Sequence, residues 1–227
     1  MNRQRVSGKY IFGLILNNQG WESALVISER AVILENVELG ENILVEDFAI
    51  IGVQARGTKG LKTVIGDNSV IRSHTVIYAG NVIGRNFQTG NKANIRECNS
   101  IADDVSIGTL SVVEHHVEIG KGVRIHTQVF IPEYSRLEDE SWVGPNVVFT
   151  NARYPKSPRV KANLVGPTLC IGAIVGANST LLPGVVVGER ALVGAGSVVT
   201  KDVAAGTVVV GNPAQKMNDL GYLPYRP

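Results

Sequence analysis

Aliphatic residues recur every six positions through most of this chain, and a small or β-branched residue follows four positions later. From Ile65 onward only Thr89 breaks the aliphatic series. The aliphatic members are Ile65, Ile71, Ile77, Ile83, Ile95, Ile101, Ile107, Val113, Ile119, Ile125, Ile131, Leu137 and Val143. The same period begins in an earlier frame at Ile27 and returns in a third frame at Leu169. A fixed short period of this kind predicts a solenoid of stacked coils.

Each six-residue unit is long enough for one short strand and one turn, but too short for a helix. The aliphatic residue and the small residue fall on the same side of the chain, so both are predicted to face the core. Three units return the chain above its start, which gives triangular coils with parallel strands stacked at about 4.8 Å. Glycines after the aliphatic residue, such as Gly66 and Gly84, relieve the backbone at the turns. The sequence therefore predicts an all-β fold, a parallel β-helix solenoid of hexapeptide repeats.

Two interruptions shift the frame of the repeat and are predicted to be inserted loops, over residues 52–64 and 150–168. The second loop is basic, with Arg153, Lys156, Arg159 and Lys161 around the single aromatic residue Tyr154. Two interpretations stay open: a loop kept in solvent by its charge, or a flap over the phosphates of a nucleotide-linked substrate or coenzyme. The predicted organisation is an N-terminal strand or cap over residues 1–24, a β-helix over 25–210 and a C-terminal cap or tail over 211–227.

Composition excludes several classes of function. A net charge of +2 over 227 residues is too small to indicate a nucleic-acid or anionic-membrane partner. Cys98 and Cys170 have neither the spacing of a disulfide framework nor that of a metal site, which is typical of a reduced cytoplasmic protein. The apolar run Tyr10–Leu16 is too short for a membrane span, and we interpret it as a strand or cap. We therefore expect a cytoplasmic protein without nucleic-acid or membrane partners.

The most specific motifs lie near the C-terminus, over Val175–Gly188, Val193–Val203 and Val210–Ala214. With the six-residue period, they resemble the hexapeptide-repeat acyltransferases over about Ile27–Ala214. The resemblance implies a left-handed parallel β-helix, a homotrimer, and transfer of an acetyl group from acetyl-CoA to a small acceptor with no metal required. It also implies that the C-terminal coils bind the coenzyme.

A coenzyme site needs a cation for the phosphates and a backbone that the pantetheine arm can approach closely. Small residues allow that approach, and Lys201 is the natural phosphate partner. The predicted coenzyme-binding residues are Gly172, Ala173, Ala195, Ser197, Lys201, Asn212 and Pro213. The alternative is that the glycines and alanines serve only the turns.

Segments Asn86–Glu97 and Val143–Asn151 resemble the branch of the family that acylates amino sugars carried on nucleotides. Many relatives have a Gly-His step where this chain has Gly90-Asn91. An attacking amine must lose a proton, and histidine is the usual base at neutral pH. Either another histidine accepts the proton here, or a neutral amine attacks and Asn91 only orients it.

The 18-residue coil brings distant side chains together on one face. The units that begin at Ile77, Ile95, Val113 and Ile131 stack on one face of the predicted solenoid. They bring five polar or aromatic residues close together: Arg96, Glu97, His115, His116 and Tyr134. None of the histidines is inward, and the adjacent pair is expected to splay apart. The predicted catalytic residues are His115, His116 and Asn91, and the predicted substrate-binding residues are Arg96, Glu97, His126, Asn151, Arg153 and Tyr154.

The predicted function is therefore acetyl transfer to the amine of a nucleotide-linked amino sugar. Three alternatives remain at this point. They are O-acetylation of a sugar hydroxyl, a carbonic-anhydrase-like metal enzyme using histidines, and a non-catalytic repeat scaffold. A splayed histidine pair disfavours the metal enzyme, and the intact C-terminal motif disfavours the scaffold.

Overall fold

The computed structural model describes residues 25–222, which form a solenoid of three β-sheets. The predicted N-terminal cap over residues 1–24, with its run Tyr10–Leu16, lies outside the described residues, as do residues 223–227.

Almost all regular structure consists of very short strands, in agreement with the six-residue unit. Before the second loop they are β1 (Val26–Ile27), β2 (Val32–Ile33), β3 (Val37–Leu39), β4 (Leu44–Val45), β5 (Ile50–Val53), β6 (Thr63–Ile65), β7 (Val70–Ile71), β8 (Val76–Tyr78), β9 (Val82–Ile83), β10 (Gln88–Thr89), β11 (Asn94–Ile95), β12 (Ser100–Ile101), β13 (Ser106–Ile107), β14 (Val112–Val113), β15 (Glu118–Ile119), β16 (Arg124–Ile125), β17 (Phe130–Ile131), β18 (Arg136–Leu137), β19 (Trp142–Val143) and β20 (Val148–Phe149). After it they are β21 (Thr168–Leu169), β22 (Ile174–Val175), β23 (Thr180–Leu181), β24 (Val186–Val187), β25 (Leu192–Val193), β26 (Val198–Val199), β27 (Thr207–Val210) and β28 (Gln215–Asp219). Short 3-10 helices cover Val160–Asn163 and Leu220–Tyr222.

From β1 to β26 every third strand belongs to the same sheet, because three strands and three turns complete one coil. Sheet A contains β1, β4, β7, β10, β13, β16, β19, β22, β25, β27 and β28. Sheet B contains β2, β5, β8, β11, β14, β17, β20, β23 and β26, and sheet C contains β3, β6, β9, β12, β15, β18, β21 and β24. Neighbouring strands pair in parallel one coil apart, as Asn94 does with Val112. The predicted parallel β-helix is therefore confirmed.

The core is the predicted column of aliphatic residues. Each aliphatic member of the series from Ile65 to Val143 is at most 3% exposed. Burial of one such side chain stabilises the fold by about 1.5–3 kcal/mol. Thr89, the one polar member, is 4% exposed, and its Oγ1 accepts a hydrogen bond of 2.9 Å from the backbone N–H of Arg72. The hydroxyl is tolerated in the core because it is hydrogen-bonded.

The coils approach most closely at the glycine turns. A Cβ at Gly90 would lie 2.2 Å from the backbone nitrogen of Thr109, and one at Gly108 would lie 2.4 Å from the carbonyl carbon of His126. Such contacts are shorter than any side chain tolerates, so these turns require glycine whether or not a ligand binds there.

Both inserted loops leave the solenoid between sheet B and sheet C. The first, residues 54–62, joins β5 to β6, and the second, residues 150–167, joins β20 to β21. Pairing of Leu44 with Val70, and of Arg136 with Thr168, keeps the strands in register across the loops. Insertions in solenoids are tolerated at such turns because the strands before and after still stack.

The C-terminal end of sheet A departs from the parallel pattern. Strand β28 pairs antiparallel with β27, with Thr207 opposite Asp219. Six-residue periodicity ends before this strand, so the sequence predicted only a cap or tail here.

Candidate active site

A polar cluster lies along one edge of the solenoid, where the chain turns from sheet B into sheet C. We call the turns after the strands of sheet B the B–C edge; the cluster occupies the turns after β8, β11, β14, β17 and β20. The coil repeat places Glu97, His115, Glu133 and Asn151 at equivalent positions of successive turns. The structure thus brings together the predicted group of Arg96, Glu97, His115, His116 and Tyr134. The catalytic role of the two histidines and the substrate-binding role of Arg96 and Glu97 stay predictions. The second loop leaves from the same edge.

His115 and His116 converge instead of splaying apart, which corrects the prediction. Their Nδ1 atoms are 2.8 Å apart, and their rings meet edge to face with centroids 4.9 Å apart. His116 has a left-handed backbone with φ of 57°, as do Cys98 and Tyr134 at the equivalent turns. This conformation turns the second imidazole back toward the first. The ring of Tyr134 lies 5.8 Å from that of His116 and limits its movement.

Arg96 is held on several sides. It forms a two-pronged ion pair with Glu97 (2.9 and 3.1 Å), and its guanidinium lies 4.8 Å from the ring centroid of Tyr78. Nη1 is also 3.5 Å from a carboxylate oxygen of Glu114. The charge of Arg96 is thereby neutralised within the protein, which makes it a supporting group for the edge more than a phosphate ligand.

Two carboxyl groups beside Arg96 respond to it differently. Burial raises the pKa of Glu97, but the hydrogen bonds from Arg96 outweigh burial and hold the pKa below its ordinary value. Burial, reinforced by the neighbouring Glu133, raises the pKa of Glu114 despite the attraction of Arg96. The edge therefore carries more carboxylates than cations, an environment that suits a cationic amine.

A ladder of buried asparagines supports the edge from inside. Asn81 and Asn99 both donate to the carbonyl of Arg96, over 2.7 and 2.8 Å. The Oδ1 of Asn99 accepts from the backbone N–H of Val117 over 2.7 Å, directly after the histidine turn. Amide side chains thus fix the turns that carry Arg96 and the histidines.

Asn151 begins the second loop and ties it to the cluster. Its Nδ2 donates to a carboxylate oxygen of Glu133 over 2.7 Å, and its carbonyl accepts from the N–H of Val165 over 3.0 Å. The loop ends where Gly166 packs tightly against Ser135. A Cβ on Gly166 would lie 2.4 Å from the backbone nitrogen of Ser135. The base of the loop is therefore anchored, while Tyr154 near its tip is 69% exposed.

The cationic residues of this loop have no acidic partner within 4.0 Å among residues 25–222. They are the exposed residues Arg153, Lys156, Arg159 and Lys161. Exposed, unpaired cations agree with both interpretations left open by the sequence.

Asn91 and His126 lie on a different edge, where the chain turns from sheet A into sheet B. We call the turns after the strands of sheet A the A–B edge. Asn91 follows β10 and is exposed, and His126 follows β16, with its ring 4.6 Å from that of Trp142. Burial and Arg124 lower the pKa of His126. Within one protomer neither residue joins the histidine pair, so the predicted sets do not form a single site.

The predicted coenzyme residues are likewise distributed over different edges. Ala195, Asn212 and Pro213 are exposed at the C-terminal end of the A–B edge, where Asn212–Pro213 is a cis peptide. Lys201 is exposed on the B–C edge, after β26, and Gly172 lies on the third edge, after β21.

Two side chains of the predicted coenzyme set lie inside the solenoid. Ala173 and Ser197 are fully buried. Ser197 Oγ donates to the carbonyl of Gly194 over 2.6 Å and accepts from the N–H of Gly211 over 3.1 Å. The hydroxyl of Ser197 therefore stabilises the turn that carries Asn212, and its place in the coenzyme site stays a prediction.

Glu133 is the residue that sequence reasoning missed. Its Oε1 is 3.6 Å from Nε2 of His115. The one-coil spacing from Glu97 to His115 to Glu133 was available in the sequence. Spacing alone, however, shows only that these three residues stack at equivalent positions of successive coils. It does not show that the side chain of Glu133 turns toward the imidazole of His115.

Residues 25–222 contain no group of three or more His, Cys, Asp or Glu residues able to hold a metal ion. No helix in this part of the chain is long and apolar enough to cross a membrane.

Comparison with known proteins finds relatives that agree with the hexapeptide-repeat fold. Residues 166–201 match the family described as "Bacterial transferase hexapeptide (six repeats)". The bifunctional protein GlmU of Listeria innocua is 30% identical over 213 residues, which cover 87% of this chain and 43% of GlmU. GlmU of Acinetobacter baumannii is 31% identical over 178 residues, covering 78% of this chain and 35% of that protein. The chain thus spans less than half the length of these relatives.

A solved structure with a partial likeness is LpxA, a UDP-N-acetylglucosamine acyltransferase from Bacteroides fragilis. It has a TM-score of 0.47 and 18% identity, covering 87% of this chain and 76% of that chain. The family match and the sequence relatives confirm the predicted resemblance to hexapeptide-repeat transferases.

Proposed function

We propose that this chain of transferase-type hexapeptide repeats moves an acetyl group from acetyl-CoA to the amine of a nucleotide-linked amino sugar, as a homotrimer. The observation that carries the proposal is the histidine pair on an acidic edge, beside a basic loop. The pair supplies a base, the carboxylates attract an amine, and the loop supplies cations for phosphates.

The chemistry assigns one task to each group. The amine nitrogen attacks the thioester carbonyl carbon, the carbon–sulfur bond breaks, and an amide forms. His116 accepts the proton that the nitrogen loses and returns it to the departing sulfur, which leaves as a thiol. Because the thioester is already activated, this proton transfer is the main chemical contribution required of the protein.

The charge distribution favours an amine over a hydroxyl as the acceptor. Glu97 and Glu114 lie beside Arg96, whose charge Glu97 already neutralises, and Glu133 adds a further carboxylate near Glu114. An ammonium group gains from such surroundings as it binds, and it releases one proton to solvent before the neutral amine attacks, whereas a hydroxyl gains nothing from them. The unpaired cations of the loop complement the diphosphate of the nucleotide.

The homotrimer accounts for the separation of the predicted residues. The outer face of sheet B is apolar, with Val32, Ile50, Phe130 and Val148 each at least 36% exposed. Three copies that pack this face around a common axis bring the A–B edge of each beside the B–C edge of its neighbour. Asn91 of one copy then approaches the histidine pair of the next, while Ala195 and Asn212 lie several coils further toward the C-terminal end of the same cleft. The cleft between copies forms the pocket that a flat face lacks.

The direct test is mass spectrometry of products after incubation with acetyl-CoA and a panel of nucleotide-linked amino sugars. We expect one added acetyl group, located by fragmentation on the sugar nitrogen. An acetyl group found on a sugar hydroxyl would show that the acceptor is a hydroxyl and not an amine. Absence of product with every panel member, with coenzyme binding verified, would overturn the proposal.

A further inference from the structure

We propose that Glu133 is a positioning residue that fixes the tautomers of both histidines, so that Nε2 of His116 carries the lone pair that accepts a proton. The inference rests on the proposed function for its catalytic meaning, but the tautomers are a property of the chain alone. Two contacts carry the argument: Nδ1 of His115 to Nδ1 of His116, at 2.8 Å, and Nε2 of His115 to Oε1 of Glu133, at 3.6 Å.

The contact between the two Nδ1 atoms allows only two arrangements of protons. A neutral imidazole has one N–H and one lone pair. In the first arrangement, His115 is protonated on Nε2 and accepts on Nδ1, so His116 donates from Nδ1 and its Nε2 is free to act as a base. In the second, His115 donates from Nδ1, so His116 is protonated on Nε2 and offers no base.

Glu133 selects the first arrangement. Its Oε1 faces Nε2 of His115, and a carboxylate attracts an N–H but repels a nitrogen lone pair. At 3.6 Å the contact is longer than a hydrogen bond, so its effect is electrostatic. That is sufficient to choose between two arrangements that differ in the sign of the interaction.

The carboxylate is itself held in place. Asn151 Nδ2 donates to Oε2 of Glu133 over 2.7 Å and lies 3.3 Å from its backbone carbonyl, which leaves Oε1 directed at His115. Asn151 also bonds Val165, at the other end of the loop. One chain of contacts therefore runs from the base of the loop through Glu133 and His115 to His116.

The orientation agrees with the environment of His116. Its side chain is exposed, while that of His115 is 27% exposed and enclosed between His116, Tyr134 and Glu133. The inner imidazole has the fixed partners of an orienting group, and the outer imidazole has the free nitrogen that a substrate can reach.

Long-range proton–nitrogen NMR on histidine-labelled protein tests the inference without substrate. At about pH 8.5, where free imidazole is neutral, we expect His116 to be protonated on Nδ1 and His115 on Nε2. Assignment uses the His115→Gln and His116→Gln variants among the four histidines of the chain.

Glu133→Ala removes the selecting carboxylate, so we expect His116 to shift toward the tautomer protonated on Nε2. Asn151→Ala should shift it in the same direction but less, because the carboxylate remains. The matched control is Glu118→Ala, which removes a carboxylate of 68% exposure on sheet C and should leave both tautomers unchanged.

Kinetics add the functional readout. Glu133→Ala should lower kcat by roughly ten- to a hundredfold, less than the loss of the base itself, with KM for the coenzyme nearly unchanged. The inference is overturned if His116 is protonated on Nε2 in the wild type, or if Glu133→Ala leaves the tautomers as they were. If the tautomers behave as expected and no acetylation occurs, the proposed function fails and the positioning role of Glu133 stands.

Discussion

Asn91 and His115 lie on opposite edges of sheet B, one in the turn that precedes β11 and the other in the turn that follows β14. A single protomer therefore cannot use both on one substrate atom. A trimer that buries the face between these edges can, because rotation brings opposite edges of neighbouring copies together. This relationship makes the apolar face of sheet B the first feature to test.

Charge on the face of sheet B should prevent assembly. Phe130→Glu, at a position 37% exposed, is expected to convert a trimer of three times 24.3 kDa into monomers in light scattering, because a charge cannot be buried there unpaired. Val82→Glu is the matched control, since Val82 is 57% exposed on sheet C and should leave the mass unchanged. A trimer that persists in Phe130→Glu, or a wild-type monomer with full activity, would contradict the shared site.

Loss of the histidine base should lower turnover and leave the affinity for the coenzyme nearly unchanged. We expect His116→Ala to reduce kcat by about 10²–10⁴-fold, with nearly unchanged affinity for acetyl-CoA. His115→Ala should fall in the same range, because His116 loses the partner that fixes its tautomer.

Asn91→Ala tests the second chemical route, in which a neutral amine attacks without a histidine base and Asn91 only orients it. If the amine binds already neutral, the double variant of His115 and His116 keeps near-wild-type turnover, whereas Asn91→Ala loses it. That combination of results would reject the histidine route and leave Asn91 as the orienting group.

Lys201 should contribute to coenzyme affinity alone. Lys201→Ala removes an exposed cation at the C-terminal end of the B–C edge, and a charge-assisted phosphate contact is worth about 1.5–3 kcal/mol. We expect acetyl-CoA affinity by calorimetry to fall about tenfold or more, with the melting temperature unchanged. Lys121→Ala, which removes a cation 3.7 Å from Asp104, is the control. Equal affinities in the two variants would exclude Lys201 from the site.

The ion pair of Arg96 with Glu97 should make stability depend on pH. Because the folded protein lowers the pKa of Glu97 below 4.5, the ionised form stabilises the fold above that pH. The stabilisation is lost as the pH falls through the folded-state pKa.

Glu97→Gln should therefore lower the free energy of unfolding by about 1–3 kcal/mol at neutral pH. The difference from wild type should shrink as the pH falls below 4.5. Urea unfolding at several pH values measures this, with the exposed Glu118→Gln as the control. A difference that does not change with pH would show that the substitution perturbs packing instead of removing a charge.

The sequence predicted the fold well because the six-residue period is a local signal with a single packing solution. Inward positions such as Ile65 and Leu137 followed directly from it, and even the interruption at Thr89 was visible. The antiparallel β28 was not predicted, because its pairing with β27 has no period to reveal it.

The site was predicted only in part. The repeat placed Arg96, His115 and Tyr134 on one edge, since equivalent positions of a solenoid must stack. It did not place Asn91 with them, and it gave no sign that the hydroxyl of Ser197 is hydrogen-bonded within a turn.

The sequence by itself therefore determined the backbone: the period fixes which residues face the core, and the breaks in the period fix where the loops leave. Tertiary structure alone decided the directions of the polar side chains. The left-handed turn at His116 rotates its imidazole onto His115, and Asn151 holds Glu133 beside them. Periodicity specifies a position along a column, whereas a hydrogen bond depends on torsion angles that only the packed turns define.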